Sequence, residues 1–526
     1  MSNKTYEKKG SIKNGIKRLI FVVLSFFIET GIIVLLFTEL ANYAEVLNLI
    51  IRLLGLGIVL YMYSESKTSS MKMPWIILIL AFPIFGTGIY LTIGLNATTR
   101  LMRRHFDAID NVVLPYLHDD KAIMDELKAE DNDAYSISKY LSSCARYPVY
   151  KNTGIEFINE AYKGIDMQLK DMEQATSYIF MEYFAIANDE SWKRVEDVLI
   201  KKVKEGVEVR VFYDDVGSIG FINLDFVKRL EHLGIKCKVF NPCTAGLKLI
   251  LNHRDHRKIT IIDGRIAYTG GYNIANEYFG VTCPYGRWKD TGVRIEGPAV
   301  KNLLVTFLGM WLFERGRKPI NLDPVNDVEP YLPSDNAYTD VSTHNGYVQP
   351  YADTPLDDEN VGEEVYISII NKANDYCYFV TPYLIITDEM LHAFILAAKR
   401  GVDVRIITPG IPDKKLVYSV TRSYYHALTK GGVRIYEWTP GFCHAKMCAS
   451  DDSIATCGTI NLDYRSLYHH FEDGCLIIGC DMVNDVKNEL MLMMNEGTEV
   501  TESYRNGRSS ILKLGQLFLR LFAELI

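Results

Sequence analysis

The chain has 526 residues, enough for more than one domain, and a formal net charge of −8 at pH 7. This acidic balance argues against a protein that holds nucleic acid through a broad basic surface, although it leaves room for a local basic pocket. The ten cysteines include no Cys-x-x-Cys pair, which favours free thiols in a reducing compartment over a disulfide framework.

The first hundred residues predict a membrane region. Three apolar runs, at 19–38, 46–63 and 75–95, have the length of bilayer-spanning segments, although a buried hairpin of core helices is the alternative. Lysines before the first run favour a cytoplasmic start, and no small-residue cleavage site follows it, which favours an anchor over a removed signal peptide. Pro83 and Gly86 interrupt the third run, so this run is either a crossing or a re-entrant or interfacial segment. We therefore expect a multi-pass protein with two or three crossings. Three full crossings would place the rest of the chain outside, but Arg100, Arg103 and Arg104 follow the third run at once and favour a cytoplasmic catalytic region.

The rest of the chain contains an internal repeat. Residues 204–215, KEGVEVRVFYDD, correspond to residues 399–410, KRGVDVRIITPG, and short apolar strands alternate with helical stretches in both places. This order predicts an α/β fold in which two duplicated α/β/α domains form one pseudo-twofold unit behind the N-terminal helices. The expected division is a membrane region (1–98), a connecting region (99–150), a first half (151–318), a linker (319–345), a second half (346–510) and a C-terminal helix (511–526). That last helix is predicted either as amphipathic on the membrane surface or as an ordinary packed helix.

One pattern, H-x-K-x-x-x-x-D, occurs once in each half. Its members are His256, Lys258 and Asp263 in the first half and His444, Lys446 and Asp451 in the second. Each copy is followed by a Gly-x-x-Asn stretch, which contains Gly271 and Asn273 in the first half and Thr459 and Asn461 in the second. Residues two apart in a strand point to the same face, so each histidine projects beside a lysine. The repetition predicts one active site built from both copies.

The residue types in this pattern suit a phosphodiester. Its oxygens are negative, so a site without metal needs fixed cations and hydrogen-bond donors aimed at them, while two histidines divide the acid and base work. The histidines clustered near His253 and His470 raise the alternative of a metal site. Zinc prefers neutral or anionic ligands, and the cationic neighbours here favour a phosphate pocket that uses no metal or other cofactor. Asp263 precedes Gly264 at a predicted hairpin turn, so it and Asp451 either join the catalytic set or hold the loop.

The doubled motif resembles the phospholipase D superfamily, and the stretches HRKITIIDGRIAYTGG and CHAKM to GTINLDYRS resemble bacterial cardiolipin synthases over nearly the whole chain. The residues alone leave open which histidine is the nucleophile, and the resemblance implies that His256 attacks phosphorus to form a phosphohistidine. It also implies that His444 protonates the departing oxygen and later deprotonates the acceptor, with Asp290 and Glu472 as the orienting carboxylates. The implied reaction is phosphatidyl transfer between two phosphatidylglycerol molecules in the bacterial cell membrane, giving cardiolipin and glycerol.

Other functions are compatible with part of this pattern. A hydrolytic phospholipase D would carry the same catalytic residues, and the membrane region is what favours the transferase. The acidic balance disfavours a nuclease of the same superfamily, and two intact His-Lys pairs disfavour an inactive membrane scaffold. The expected partners are therefore phosphatidylglycerol and membrane lipids, with no nucleic acid and no prediction of the oligomeric state.

Overall fold

The structure is a computed structural model. It describes residues 11–42, 45–65, 68–91, 97–222, 225–243, 253–313, 323–334, 338, 345–506, 515, 516, 519 and 520. The described part of the predicted linker is residues 323–334, 338 and 345, and that of the predicted C-terminal helix is residues 515, 516, 519 and 520.

The N-terminal region is helical. Its helices are α1 (Ser11–Asn42), α2 (Glu45–Ser64), α3 (Ser69–Ala81), α4 (Pro83–Ile89), α5 (Ala97–Val113), α6 (Lys121–Glu130) and α7 (Asn132–Ser143). Within the described part of the chain, α2 is the one helix long and apolar enough to cross a membrane. The third apolar run is divided between α3 and α4, because Pro83 starts a new helix that packs back against Leu78. The multi-pass arrangement thus stays a prediction.

The first half has nine strands, seven of which form one sheet. Its strands are β1 (Gly154–Ile158), β2 (Tyr178–Tyr183), β3 (Glu208–Asp214), β4 (Lys236–Phe240), β5 (Arg254–Asp255), β6 (Lys258–Ile262), β7 (Ile266–Gly270), β8 (Arg287–Lys289) and β9 (Gly292–Glu296), with helices α8 (Ala161–Glu173), α9 (Glu190–Lys204), α10 (Asp215–Ser218), α11 (Asp225–His232) and α12 (Val300–Phe313). The sheet order is β1-β9-β7-β6-β2-β3-β4, and β2, β3 and β4 are parallel. Strands β2 and β6 are buried along their whole length because other elements cover both faces, which fits their mostly apolar sequences, YIFMEY and KITII.

The second half repeats this arrangement after the short helix α13 (Pro324–Asp327). Its strands are β10 (Tyr347–Asp353), β11 (Tyr376–Val380), β12 (Leu384–Ile385), β13 (Asp403–Pro409), β14 (Arg434–Trp438), β15 (Gly441–Cys443), β16 (Met447–Ser450), β17 (Ile454–Gly458), β18 (Leu462–Asp463), β19 (His470–Ile478) and β20 (Thr498–Glu499). Its helices are α14 (Val361–Lys372), α15 (Asp388–Lys399), α16 (Lys415–Lys430), α17 (Tyr464–Tyr468), α18 (Met482–Glu496) and α19 (Thr501–Arg505). The order β10-β19-β17-β16-β11-β13-β14 matches the first sheet strand for strand, so the predicted duplication is confirmed.

The two halves form one unit around a continuous apolar core. Helix α12 of the first half packs on β6 and β7 and also on β10 of the second half, and α18 of the second half packs on β16 and also on β1 of the first. Two short strand pairs then cross the boundary directly: β5 pairs with β19, and β15 pairs with β8. The site lies where these pairs end.

Candidate active site

The two crossing strand pairs hold the motif histidines against the opposite half. His256 follows β5, and its backbone N–H donates to the carbonyl oxygen of Phe471 in β19 at 2.8 Å. His444 follows β15, and its backbone N–H donates to the carbonyl oxygen of Lys289 in β8 at 2.7 Å. The two arrangements are equivalent under the pseudo-twofold relation, so both histidines reach a shared boundary in the same way.

Each histidine ring is paired with a carboxylate from the other half. His256 Nδ1 lies 2.9 Å from Glu472 Oε2, and His444 Nδ1 lies 2.7 Å from Asp290 Oδ2. Both carboxylates are fully buried. A neutral ring that donates from Nδ1 keeps the lone pair of Nε2 for attack or proton transfer. Glu472 and Asp290 were expected as orienting carboxylates, and the structure brings both to the histidines. That each carboxylate orients the histidine of the opposite half was not expected.

The two motif lysines lie beside the histidines. The Nζ of Lys258 donates to the backbone carbonyl of His256, and the Nζ of Lys446 donates to that of His444. Lys446 Nζ also lies 2.8 Å and 3.1 Å from the two ring nitrogens of His444. Burial lowers the pKa of Lys258 to about 7 and that of Lys446 to about 8, although nearby carboxylates oppose this shift. A bound phosphate would stabilise both ammonium groups.

Burial also governs the histidine–carboxylate pairs. It lowers the pKa of His256 and His444 well below the ordinary histidine value, and the neighbouring lysines lower both further. It raises the pKa of Asp290 to about 7 and that of Glu472 well above the ordinary value. Burial thus disfavours charge of either sign in this site, and a bound anion offsets that cost for the lysines and histidines.

The two predicted asparagines line the cavity between the histidines. Asn273 Oδ1 accepts a hydrogen bond from the backbone N–H of Ala185 at 3.0 Å, and its Nδ2 donates to the Tyr278 hydroxyl at 2.9 Å. The equivalent Asn461 is buried, and its Oδ1 has no hydrogen-bond partner among the described residues. The amide of Asn273 is thus held in place by the protein, while the Oδ1 of Asn461 is left to accept a hydrogen bond from a donor group.

Gly271 and Thr459 were expected among the phosphate-binding residues, and the structure instead brings them to the orienting carboxylates. A Cβ at Gly271 would overlap Asp290 Oδ1, so a residue without a side chain admits that carboxylate. Thr459 Oγ1 donates to Glu472 Oε2 at 2.5 Å. Neither residue is among those that line the cavity.

The motif aspartates lie in turns outside the cavity. Asp263 has a φ of 53°, and its carboxylate accepts four hydrogen bonds: from Thr176 N at 2.7 Å, Thr176 Oγ1 at 2.9 Å, and Ser177 N and Tyr178 N at 2.8 Å each. Asp451, with a φ of 50°, accepts three backbone N–H groups, from residues 374–376. Of the two roles open for these aspartates, the structure favours holding the loop over catalysis. Neither aspartate contacts the cavity, and a catalytic role for them stays a prediction.

The cavity has a volume of about 220 Å³ and two chemically different walls. On the side of His256 lie the rings of Phe184 at 5.0 Å and His470 at 5.4 Å, measured between ring centroids. Arg465 extends this wall, with its Nε 3.3 Å from His470 Nε2. Sequence reasoning did not single out these groups as cavity residues. His470 could have been predicted, because it lies two residues before Glu472 and so on the same face of β19.

The side of His444 is aromatic. The rings of Tyr278, Trp288 and Phe442 lie 5.5 Å, 5.7 Å and 5.9 Å from the ring of His444. Trp288 occupies the position in β8 that His470 occupies in β19. The two halves are therefore equivalent in backbone here but differ in side chain, an apolar indole in one and an imidazole in the other. Sequence reasoning missed this wall.

His256, His470 and Glu472 are also close enough to share a metal ion, with candidate ligand atoms within 4.8 Å of one another. The charges of Arg465 and Lys258 both act on His470. Positive neighbours favour an anion over a metal cation at this position, so the expectation of a site without metal stays a prediction.

Sequence comparison follows the division into halves. A profile of the family described as "Cardiolipin synthase, PLD-like domain" matches residues 169–311 and 366–494, more than half of the chain. A cardiolipin synthase of Oceanobacillus iheyensis is 31% identical over 486 residues, which cover 90% of this chain and 99% of that protein. The chain belongs to the cardiolipin synthase family. It is a phosphatidyltransferase of the phospholipase D type, as the doubled motif indicated.

Two further comparisons extend over most of the chain. A Streptococcus mutans protein described as uncharacterized is 41% identical over 471 residues, covering 90% of this chain and all of that protein. The crystal structure of phosphatidylserine synthase from Haemophilus influenzae Rd KW20 aligns with a TM-score of 0.55 at 15% identity, covering 75% of this chain and 98% of that chain. At this identity the likeness concerns the fold alone, and it agrees with the predicted phospholipase D-like class.

Proposed function

We propose that the protein transfers a phosphatidyl group from one phosphatidylglycerol molecule to a second, giving cardiolipin and glycerol. One observation carries the proposal: two histidines, each paired with a carboxylate of the opposite half, line one small cavity, and a motif lysine lies beside each histidine. Two histidines suit a reaction with a covalent intermediate, because Nε2 of one bonds to phosphorus while Nε2 of the other transfers protons. Membership of the cardiolipin synthase family supports the choice of substrate.

In the first step, Nε2 of His256 attacks the phosphorus of the donor lipid. His444 enters this step protonated on both ring nitrogens, a form that the bound phosphate and Asp290 stabilise. The bond between phosphorus and the glycerol oxygen breaks, and that oxygen takes the proton from Nε2 of His444. Lys258 and Lys446 stabilise the negative charge on the two non-bridging oxygens. Glu472 stabilises the positive charge that develops on the His256 ring, which bonds to it through Nδ1.

In the second step, a hydroxyl of another phosphatidylglycerol loses its proton to Nε2 of His444. Its oxygen bonds to phosphorus, and the bond between phosphorus and His256 breaks with its electron pair returning to the ring. Aromatic rings around His444 limit the access of water, which would otherwise give phosphatidic acid. The sum of the two steps consumes two phosphatidylglycerol molecules and releases one glycerol.

The N-terminal helices would hold this cavity close to its lipid substrates. We propose a multi-pass arrangement in the bacterial cell membrane with the catalytic halves on the cytoplasmic side. The apolar helix α2 supports a membrane anchor, and the cations Arg100, Arg103 and Arg104 after the last apolar run support the cytoplasmic side.

Product analysis tests the proposal. Purified full-length protein is added to vesicles of phosphatidylglycerol labelled in its headgroup, with and without a chelator. Equal amounts of cardiolipin and free glycerol are expected in both conditions, with loss of both products in His256→Ala. His392→Ala, which removes an exposed histidine on α15, is the matched control and should retain activity. Phosphatidic acid as the sole lipid product would contradict the transferase, and loss of activity with chelator would contradict a site without metal.

A further inference from the structure

The cavity contains a carboxylate with no place in the reaction described above. Of the described residues that line it, Asp413 and Asp463 are acids that do not pair with a motif histidine. Asp463 is occupied by its own fold, because its Oδ1 caps α17 by accepting the backbone N–H of Ser466 at 2.9 Å. Asp413 follows β13 in a loop and does not cap a helix in this way.

Only one of the two carboxylate oxygens of Asp413 has partners among the described residues. Its Oδ2 accepts a hydrogen bond from the Tyr383 hydroxyl at 2.7 Å, and Lys414 Nζ lies 3.7 Å from the same oxygen. Oδ1 has no hydrogen bond to any residue that the structure describes. The side chain keeps 14% of its surface exposed, and it borders the cavity. One carboxylate oxygen is thus positioned by the protein while the other is left for a ligand.

This carboxylate lies on the His444 side of the cavity. The ring of Tyr383, its partner, lies 6.3 Å from that of Phe442, which in turn lies 5.9 Å from the ring of His444. In phosphoryl transfer the attacking and leaving groups are roughly in line through phosphorus. If His256 bonds to phosphorus, the leaving and accepting alcohols both lie on the side of His444, where Asp413 is found.

We infer that Asp413, with Tyr383 and Lys414, forms the subsite that binds the free hydroxyl of a glycerol headgroup and thereby selects a polyol as the acceptor. An ionised carboxylate only accepts hydrogen bonds, and such bonds from hydroxyl donors are strong. A nearby Lys414 supplies a donor for the hydroxyl oxygen and reduces repulsion between Asp413 and the lipid phosphate. The inference rests on the proposed function and deepens it.

Among the described residues that line the opposite wall, none offers such a group. The His256 side presents Arg465 and His470, which suit the oxygens of an anion. A site built to hydrogen-bond a hydroxyl discriminates strongly against molecules that lack it. The two walls therefore fit different parts of the reaction, phosphate oxygens on one side and an alcohol carrying a second hydroxyl on the other.

A competition between two acceptors tests the subsite. Vesicles of phosphatidylglycerol are incubated with labelled glycerol and ethanol together, and the ratio of labelled phosphatidylglycerol to phosphatidylethanol is measured. Both products arise from the same covalent intermediate, so the ratio reports the acceptor step alone. We expect Asp413→Asn to lower this ratio about tenfold, the factor for loss of one charge-assisted hydrogen bond. Tyr383→Phe, which loosens Asp413, should lower the ratio about threefold.

The control is Asp485→Asn, an exposed aspartate on α18 that does not line the cavity, and its ratio should equal that of the wild type. An unchanged ratio in both Asp413→Asn and Tyr383→Phe would overturn the subsite, as would an equal fall of the two products. A wild-type protein that does not prefer glycerol to ethanol would overturn it as well. Failure of the wild type to make cardiolipin would instead refute the proposed function.

Discussion

Replacing Glu472 by glutamine tests the crossed pairing directly. Glu472 Oε2 accepts from His256 Nδ1 at 2.9 Å and from the Thr459 hydroxyl at 2.5 Å. An amide that keeps its oxygen toward His256 retains the hydrogen bond but loses the charge, which costs about 1.5 kcal/mol, or roughly tenfold in rate. An amide that turns its NH₂ toward Nδ1 moves the ring proton to Nε2, the attacking atom, and the cost approaches about 10⁴-fold. We expect kcat/KM to fall within these limits.

The same substitution should not destabilise the protein. Burial raises the pKa of Glu472 well above its ordinary value, so above the pKa of the unfolded chain its ionised form costs folding free energy. A neutral amide of the same size removes that cost. Glu472→Gln should therefore melt at the same temperature as the wild type or higher at neutral pH, measured in detergent. Lower activity together with a lower melting temperature would indicate a structural role.

An activated donor separates the two carboxylates. With a phosphatidyl ester of p-nitrophenol the leaving group needs no proton, so the first step depends on His256 but not on His444. Asp290→Asn should then release one equivalent of nitrophenol in a burst and stall, because His444 no longer deprotonates the acceptor efficiently. Glu472→Gln should show no burst. A burst in Glu472→Gln and none in Asp290→Asn would reverse the assigned roles, and identical traces would refute the reasoning.

Three further predictions concern other parts of the molecule. Asp263→Ala removes an acceptor of four hydrogen bonds, so we expect a loss of about 2–4 kcal/mol in the free energy of unfolding. The kcat of the folded variant should stay within a few-fold of the wild type. A lost kcat at unchanged stability would instead indicate a catalytic role for Asp263. Burial lowers the pKa of Lys258 to about 7 and that of Lys446 to about 8, so both are protonated below pH 7 and lose their charge as pH rises through 8. Tungstate, a phosphate-like anion, should therefore inhibit most strongly below pH 7 and progressively less above it. Inhibition independent of pH would contradict binding of the anion by these lysines. If the catalytic halves are cytoplasmic, a membrane-impermeant maleimide should label the exposed Cys144 and Cys283 only after cells are lysed, whereas labelling of intact cells would place these halves outside.

Local sequence rules were sufficient for the duplicated fold. The β-branched residues of β6 predict a strand, the Asp263-Gly264 turn predicts its hairpin with β7, and the same features recur in the second half. The break in the third apolar run was also predictable, because proline removes a backbone donor and starts a new helix at Pro83.

The crossing of the halves was not predictable from these rules. Strand β5 has two residues and pairs with a strand more than two hundred positions away, so it leaves no periodic pattern. The role of Asp263 stayed open for a similar reason: an Asp-Gly turn suits either function, and the deciding partners lie 87 positions earlier at Thr176. The aromatic wall near His444 was missed because the position of Trp288 in the cavity follows only from the pairing of Asp290 with His444, and the sequence does not show that pairing.

The exchange of carboxylates between halves bears on the ancestry of the chain. An ancestor with a single motif could complete such a site only by dimerising, and activity would then have depended on concentration. Joining two copies in one polypeptide made the partner permanently available, which is a large gain in effective concentration. The join also freed the copies to diverge, as Trp288 and His470 have done at equivalent positions. Chimeras that combine one half with the other half of a relative would thus measure how far the two copies have adapted to each other.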